Sequence, residues 1–144
     1  MKKTRFAKNY THLSIEQFYY LSWYNCPTKY ILKLLTWERS ECEGGISPFD
    51  ISEIHKYQKK VDGWDVGENE KKIYFLEKKF TFKNFINSQE FINKVGEISE
   101  AEGHHPDISF GWGYAKIIIT THAIEGLSEN DFILAAKIDQ IFNV

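Results

Sequence analysis

Five consecutive β-branched residues, Ile117-Ile118-Ile119-Thr120-Thr121, leave that stretch of the chain little conformational choice. Branching at Cβ restricts the side chain against a preceding helical turn and suits the pleated surface of a sheet. The pattern predicts a strand from Lys116 to His122, with a partner from Ile108 to Tyr114. Residues Lys71 to Phe82 form a third candidate: aromatic, charged at intervals and free of Gly and Pro. Gly67-Glu68-Asn69-Glu70 before it reads as a hairpin turn, which leaves Trp64 to Val66 as a short first strand.

Helices separate these strands. Asp50 or Ser52 can cap a first helix that runs to about Val61, with Ile54, Tyr57 and Val61 on one face and Gly63 as its stop. From about Asn84 to Glu102, Phe91, Ile92, Val95 and Ile98 recur at helical spacing until Gly103 and Pro106 end the run. Ser128-Glu129-Asn130-Asp131 is a capping-type start, and a last helix continues to about Phe142. The order is helix, two strands, helix, two strands, helix. An antiparallel sheet of four strands with three helices on one face satisfies it, an α+β sandwich.

This unit is expected to occupy residues 42–144. Gly44-Gly45 and Pro48 punctuate the chain ahead of it, and residues 1–41 form an N-terminal extension with two short helical candidates interrupted at Cys26-Pro27. Residues 1–37 hold six positive side chains against Glu16, a net +5; with −2 for the whole chain, the remainder carries −7. A basic extension on an acidic body reads either as an organelle-targeting presequence or as an ordinary solvated segment. Its many aromatics and few Ser and Arg residues favour the second, and a cytoplasmic protein. A mitochondrial or plastid location is the alternative. Cys26 and Cys42 lie in no zinc-type or disulfide-framework spacing, consistent with a reducing compartment. No apolar run approaches the ~20 residues of a membrane helix, which predicts a soluble chain. The acidic body lacks the basic footprint of a nucleic-acid binder.

The chemistry-bearing residues cluster late in the chain. His104, His105 and His122 lie between the central helix and the end of the last strand, and Glu100 sits one helical turn before His104. Imidazole can donate and accept protons near neutral pH, and a nearby carboxylate can orient the ring. Two or three histidines with a carboxylate therefore suit general acid–base chemistry. A His-His pair in a loop can equally be structural, and imidazole and carboxylate are also zinc or iron ligands. Adjacent histidines tend to point apart in extended backbone, and no HxH or HExxH pair is present, so no metal is expected.

Glu100, three spacers, His104-His105-Pro106, five residues, Trp112, nine residues, His122, eight residues, Asp131: this pattern resembles the signature of the pterin-4a-carbinolamine dehydratases. Thr121-His122-Ala123, Gly126 to Phe132, Asp62-Gly63-Trp64 and Cys42-Glu43-Gly44-Gly45 with Pro48 are also similar to that family, so the likeness covers about residues 42–142. Trp112 stands where many members have Tyr, and Gly103 where animal members have Asp.

The resemblance implies a hydro-lyase that dehydrates a 4a-hydroxytetrahydropterin without metal or redox cofactor. It implies His104 and His122 in proton transfer, His105 holding and polarising the pterin, and Glu100 orienting an imidazole. Pro106, Thr121 and Trp112 would join His105 and His122 in binding substrate. For Asp131, the favoured reading is electrostatic support for the last helix at its N-terminus. The resemblance further implies a homodimer or homotetramer. The broad apolar arc from Phe132 to Phe142 fits such a contact, or a helix buried within one subunit. A different class of role is also implied, because animal relatives serve as dimerisation cofactors for a homeodomain transcription factor.

Overall fold

The computed structural model describes residues 47–143, so the extension and its candidate helices lie outside the described residues. The element order is α1 (Ile51–Gln58), β1 (Asp65–Glu68), β2 (Tyr74–Thr81), α2 (Phe85–Glu102), β3 (Asp107–Gly111), β4 (Tyr114–Ile119), a 3₁₀ turn (His122–Ile124) and α3 (Glu129–Phe142). The strands form one antiparallel sheet in the order β1-β2-β4-β3. This is the α+β architecture expected from the sequence.

Alternation along the central strands decides which face is covered. Leu76 and Phe80 of β2 lie opposite Ile119 and Ala115 of β4, and all four are buried together with Ile117. The helices cover this face. Burial of each large apolar side chain contributes about 1.5–3 kcal/mol. Phe75, Glu77, Lys79, Tyr114, Lys116 and Ile118 take the opposite face, where Glu77 and Lys116 pair at 2.8 Å.

The last helix is the centre of the core. Phe132, Leu134, Ala135 and Ile138 are at most 1% exposed. Phe49 and Tyr57 stack against Phe132, and Phe142 meets Phe80, Phe82 and Phe91. Packing within one subunit therefore accounts for most of the apolar arc of α3.

Local chemistry sets the element ends. Asp50 caps α1 by accepting from the Ser52 and Glu53 amides, and Glu53 reaches back to the Asp50 amide, a full capping box. Those bonds hold the Asp50 carboxyl below its ordinary range. The helix ends at Gln58, three residues before the expected Val61, although Val61 is still buried. The second strand starts at Tyr74 rather than Lys71, because Asn69 Oδ1 accepts from the amides of Lys71 and Ile73 and winds the chain into a turn. The last hairpin reverses at Trp112-Gly113, earlier than the expected strand end at Tyr114. Gly113 takes φ +77°, and its carbonyl accepts from the Phe82 amide at 2.8 Å.

A charge from the central strand β2 sits on the covered face. Lys78 lies opposite Ile117, and its ammonium bonds Asp139 of α3 at 2.7 Å and the carbonyl of Asp62. Trp64, which is buried, donates its indole N–H to the other Asp139 oxygen at 3.1 Å. Burial raises the Asp139 carboxyl above its ordinary range, against the opposing pull of Lys78.

Lys78→Met should therefore strand a buried carboxylate and cost about 3 kcal/mol at pH 7 by urea unfolding. A carboxyl whose folded pKa is raised binds its proton more readily in the folded state, so acidification from pH 7 towards 4 should recover part of the loss. The double variant Lys78→Met, Asp139→Leu should lose less stability than Lys78→Met alone.

Candidate active site

The histidine loop begins where α2 is forced to stop. Gly103 adopts a left-handed conformation (φ 56°), its amide bonds Glu100 O, and the His104 amide bonds Ser99 O at 3.1 Å. This paired closure ends a helix and turns the chain away from its axis. Pro106 then prevents helical continuation, and β3 starts at Asp107. Asp107 pairs with Ile118, so the start of β3 lies beside the end of β4, where Thr121 and His122 follow. His104, His105, Pro106, Thr121 and His122 thus gather at one end of the sheet.

Asp131 holds that end together. Its carboxylate is completely buried. One oxygen lies 2.9 Å from His104 Nε2. The other accepts from Thr121 Oγ1 at 2.8 Å, from the Ser128 amide at 2.6 Å and from Ser128 Oγ at 3.0 Å. With so many donors directed at it, Asp131 acts as a pure acceptor, so His104 donates from Nε2. The remaining ring nitrogen, Nδ1, is then the one able to exchange a proton with a bound molecule. The side chain of His104 is 15% exposed, enough for access from one side.

Asp131 is therefore both a helix-start residue, as expected, and the anchor of a site histidine. It occupies the third helical position of α3, where a carboxylate can reach back to the Ser128 amide, and a second oxygen remains for His104. The fixed spacing between His122 and Asp131 in the motif was the sequence signal for this second task.

Glu100 was expected to orient one of the imidazoles, and its nearest one is His105. Its carboxylate meets His105 Nε2 at 3.0 Å, and both side chains are more than half exposed. It orients His105, and His104 belongs to Asp131. His122 is exposed and opens the 3₁₀ turn, where a bridge between Thr121 and Gly126 closes the loop behind it. Phe49 donates its amide to Leu127 O, which brings the start of the described chain against the same loop.

Trp112 is the residue this arrangement does not gather in. It lies in the β3–β4 turn, at the opposite end of the hairpin from the histidines, and is 74% exposed. Six extended residues from Pro106 to Trp112 span roughly 20 Å. Within one subunit, Trp112 therefore lies apart from the other residues expected to bind substrate. His55 is exposed on α1. Among the described residues, no group of three or more His, Cys, Asp or Glu side chains is arranged to hold a metal ion.

The sequence profile of the pterin 4 alpha carbinolamine dehydratases matches residues 47–141. The chain belongs to this family. It is 47% identical over 100 residues to a protein of Halorhodospira halophila, an alignment covering 69% of this chain and 89% of that one. It is likewise 47% identical to a protein of Methylococcus capsulatus, covering 69% and 85%. Both are named, provisionally, pterin-4-alpha-carbinolamine dehydratase. Among solved structures, a "transcriptional coactivator/pterin dehydratase" of Brucella melitensis shares the fold with a TM-score of 0.61 at 23% identity, covering 67% of this chain and 99% of that one.

Asp131→Ala removes the acceptor of three side-chain donors and one amide. It should cost about 2–4 kcal/mol by thermal or urea unfolding, as expected for a buried polar network left unsatisfied. In the native protein, ¹⁵N NMR of the imidazoles should find neutral His104 protonated at Nε2. Asp131→Ala should abolish that tautomer preference while leaving His122 unchanged.

Proposed function

We propose that this protein dehydrates a 4a-hydroxytetrahydropterin to the quinonoid dihydropterin, with His104 and His122 transferring the protons. The observation that carries this reading is the Asp131 carboxylate, which fixes His104 directly and the turn bearing His122 through Thr121. Family membership and the names of the relatives support the substrate class.

The chemistry asks for little else. The hydroxyl on C4a shares its carbon with a ring nitrogen. When an acid protonates that hydroxyl, water departs and the nitrogen lone pair closes a C=N bond. A base then takes a proton from the pterin, and the sum is loss of one water. No electrons are gained or lost, so the reaction needs no redox partner. A histidine that carries a proton on one nitrogen and offers the other suits either half of this exchange. The histidine presented through Nδ1 is His104, and His122 faces solvent from the adjoining loop. His105, steadied by Glu100, would polarise the pterin, with Pro106 and Thr121 shaping the surface beside it. The physiological setting is the return of a spent tetrahydropterin cofactor to use, or a related branch of pterin metabolism.

Freshly generated 4a-hydroxytetrahydropterin should disappear faster with catalytic amounts of the protein, followed by ultraviolet absorbance. Each of His104→Ala and His122→Ala should lower kcat by about 10²–10⁴-fold, the range for loss of a positioned acid or base. Unchanged decay with folded wild-type protein would overturn the enzymatic reading and leave a protein-binding role on the same fold.

A further inference from the structure

We infer that Pro48 is a positioning residue for His122, acting across the backbone of Gly126 to hold the turn that carries this imidazole. That the imidazole so placed transfers a proton rests on the function proposed above; its placement by Pro48 does not.

His122 differs from the other two site histidines in how it is held. His104 has Asp131 and His105 has Glu100, whereas no described side chain bonds the His122 imidazole. Its position is therefore set by the main chain of its turn. That turn closes on itself through the Ile124 amide to Thr121 O at 3.3 Å, the Glu125 amide to His122 O at 3.2 Å and the Thr121 amide to Gly126 O at 2.9 Å. Glu125 sits at φ +49°, a conformation that is costly for a residue with a Cβ. A short turn containing such a residue persists only where its surroundings hold it.

The hold comes from two flanks. On one, Thr121 is tied to the Asp131 carboxylate. On the other, the chain ahead of α1 lies against Gly126. A Cβ built on Gly126 would come within 2.6 Å of Pro48 Cβ and 3.5 Å of its Cγ, so the pyrrolidine ring occupies the place of a side chain at this position. Backbone conformation makes no such demand: Gly63, Gly103 and Gly113 take positive φ, and Gly126 does not. Contact with Pro48 is what excludes a larger residue there.

Pro48 has little room to yield. Its own φ is fixed by the ring. Phe49 beside it donates its amide to Leu127 O at 2.8 Å, and its ring meets Tyr57 at 4.9 Å and Phe132 at 6.3 Å between centroids. Asp50 then caps α1, and the Tyr57 hydroxyl donates to Glu129 in the first turn of α3 at 2.9 Å. Pro48 is thus fastened to both helices. The two imidazoles assigned to proton transfer are referred to one element, α3: His104 directly through Asp131, and His122 through Thr121 on one flank and Pro48 on the other.

The test uses the full-length chain. Gly126→Ala must open the 2.6 Å approach to ordinary contact, a shift of about 1 Å. A misplacement of that size should lower kcat by up to ~10²-fold. Pro48→Gly withdraws the flank and should lower kcat by about tenfold. KM should stay within about twofold in both, because His105 and Pro106 are untouched. In the double variant Pro48→Gly, Gly126→Ala the new methyl fills the space the ring leaves, and kcat should return to within about threefold of wild type. NMR of the imidazole Cε1–H groups should show the His122 signal displaced in each single variant and restored in the double, with His105 unmoved.

A contact that serves stability alone would lower the melting temperature of the single variants and leave kcat and the His122 signal of the folded protein as in wild type. That result overturns the inference, and so does a double variant no better than the worse single one. Should Gly126→Ala fail to fold, Pro48→Gly decides by the same kcat and NMR readouts. Wild-type protein without dehydratase activity, but with the NMR pattern described, would support the placement and count against the proposed reaction alone.

Discussion

A single buried carboxylate connects the fold to the site. Asp131 lies at the start of the most buried helix, and its two oxygens serve the Ser128 amide and hydroxyl, Thr121 and His104. Placing an ionised group where water cannot reach is costly unless its acceptor capacity is filled. Here it is filled by groups from three segments: the start of α3, the end of β4 and the loop after α2. The helix cannot begin as it does without drawing in the strand end and the histidine. The geometry of the site is thereby set by the same bonds that stabilise the core, which gives His104 a defined orientation without a separate supporting structure.

The remainder of the domain positions those three segments. The Leu76, Phe80, Ala115, Ile117 and Ile119 face fixes the register of β2 and β4, because a slip by one residue would turn these side chains to solvent. Register in turn sets the start of β3 beside the end of β4. Lys78 and Asp139 add a polar tie between sheet and last helix, with Trp64 completing the bonds to the carboxylate. These ties act through orientation more than through net energy, since a largely buried pair recovers little beyond the cost of leaving water.

Much of this could be read from the residues. The β-branched run, the helical spacing of Phe91, Val95 and Ile98, and the Gly103 and Pro106 stops determine the element order, because each acts through local conformational energy. Turns were read less well. The Asn69 turn and the Trp112-Gly113 reversal depend on which side-chain or glycine conformation is used, and strand propensity is blind to that. The histidine loop was legible as a cluster, but the pairing of carboxylates with imidazoles was not. The sequence left open which imidazole Glu100 would meet; the left-handed turn at Gly103 swings His104 towards α3 and leaves Glu100 to His105. Trp112 shows the same limit. Its spacing grouped it with the histidines, whereas the hairpin carries it to the far end of β3.

The central helix α2 reaches from one end of the hairpin to the other. Near its start, Ser88 Oγ donates to the Gly111 carbonyl at the Trp112 turn, and at its finish Gly103 launches the histidines. Both attachments belong to one rigid rod, so their relative bearing is counted in residues. Adding or removing one residue between them would rotate one end by about 100° and shift it by ~1.5 Å. Neither attachment could follow while the other stayed in place. The interval from Ser88 to Gly103 is therefore a segment in which substitutions can accumulate on the solvent side, while insertions and deletions are excluded by the helical pitch.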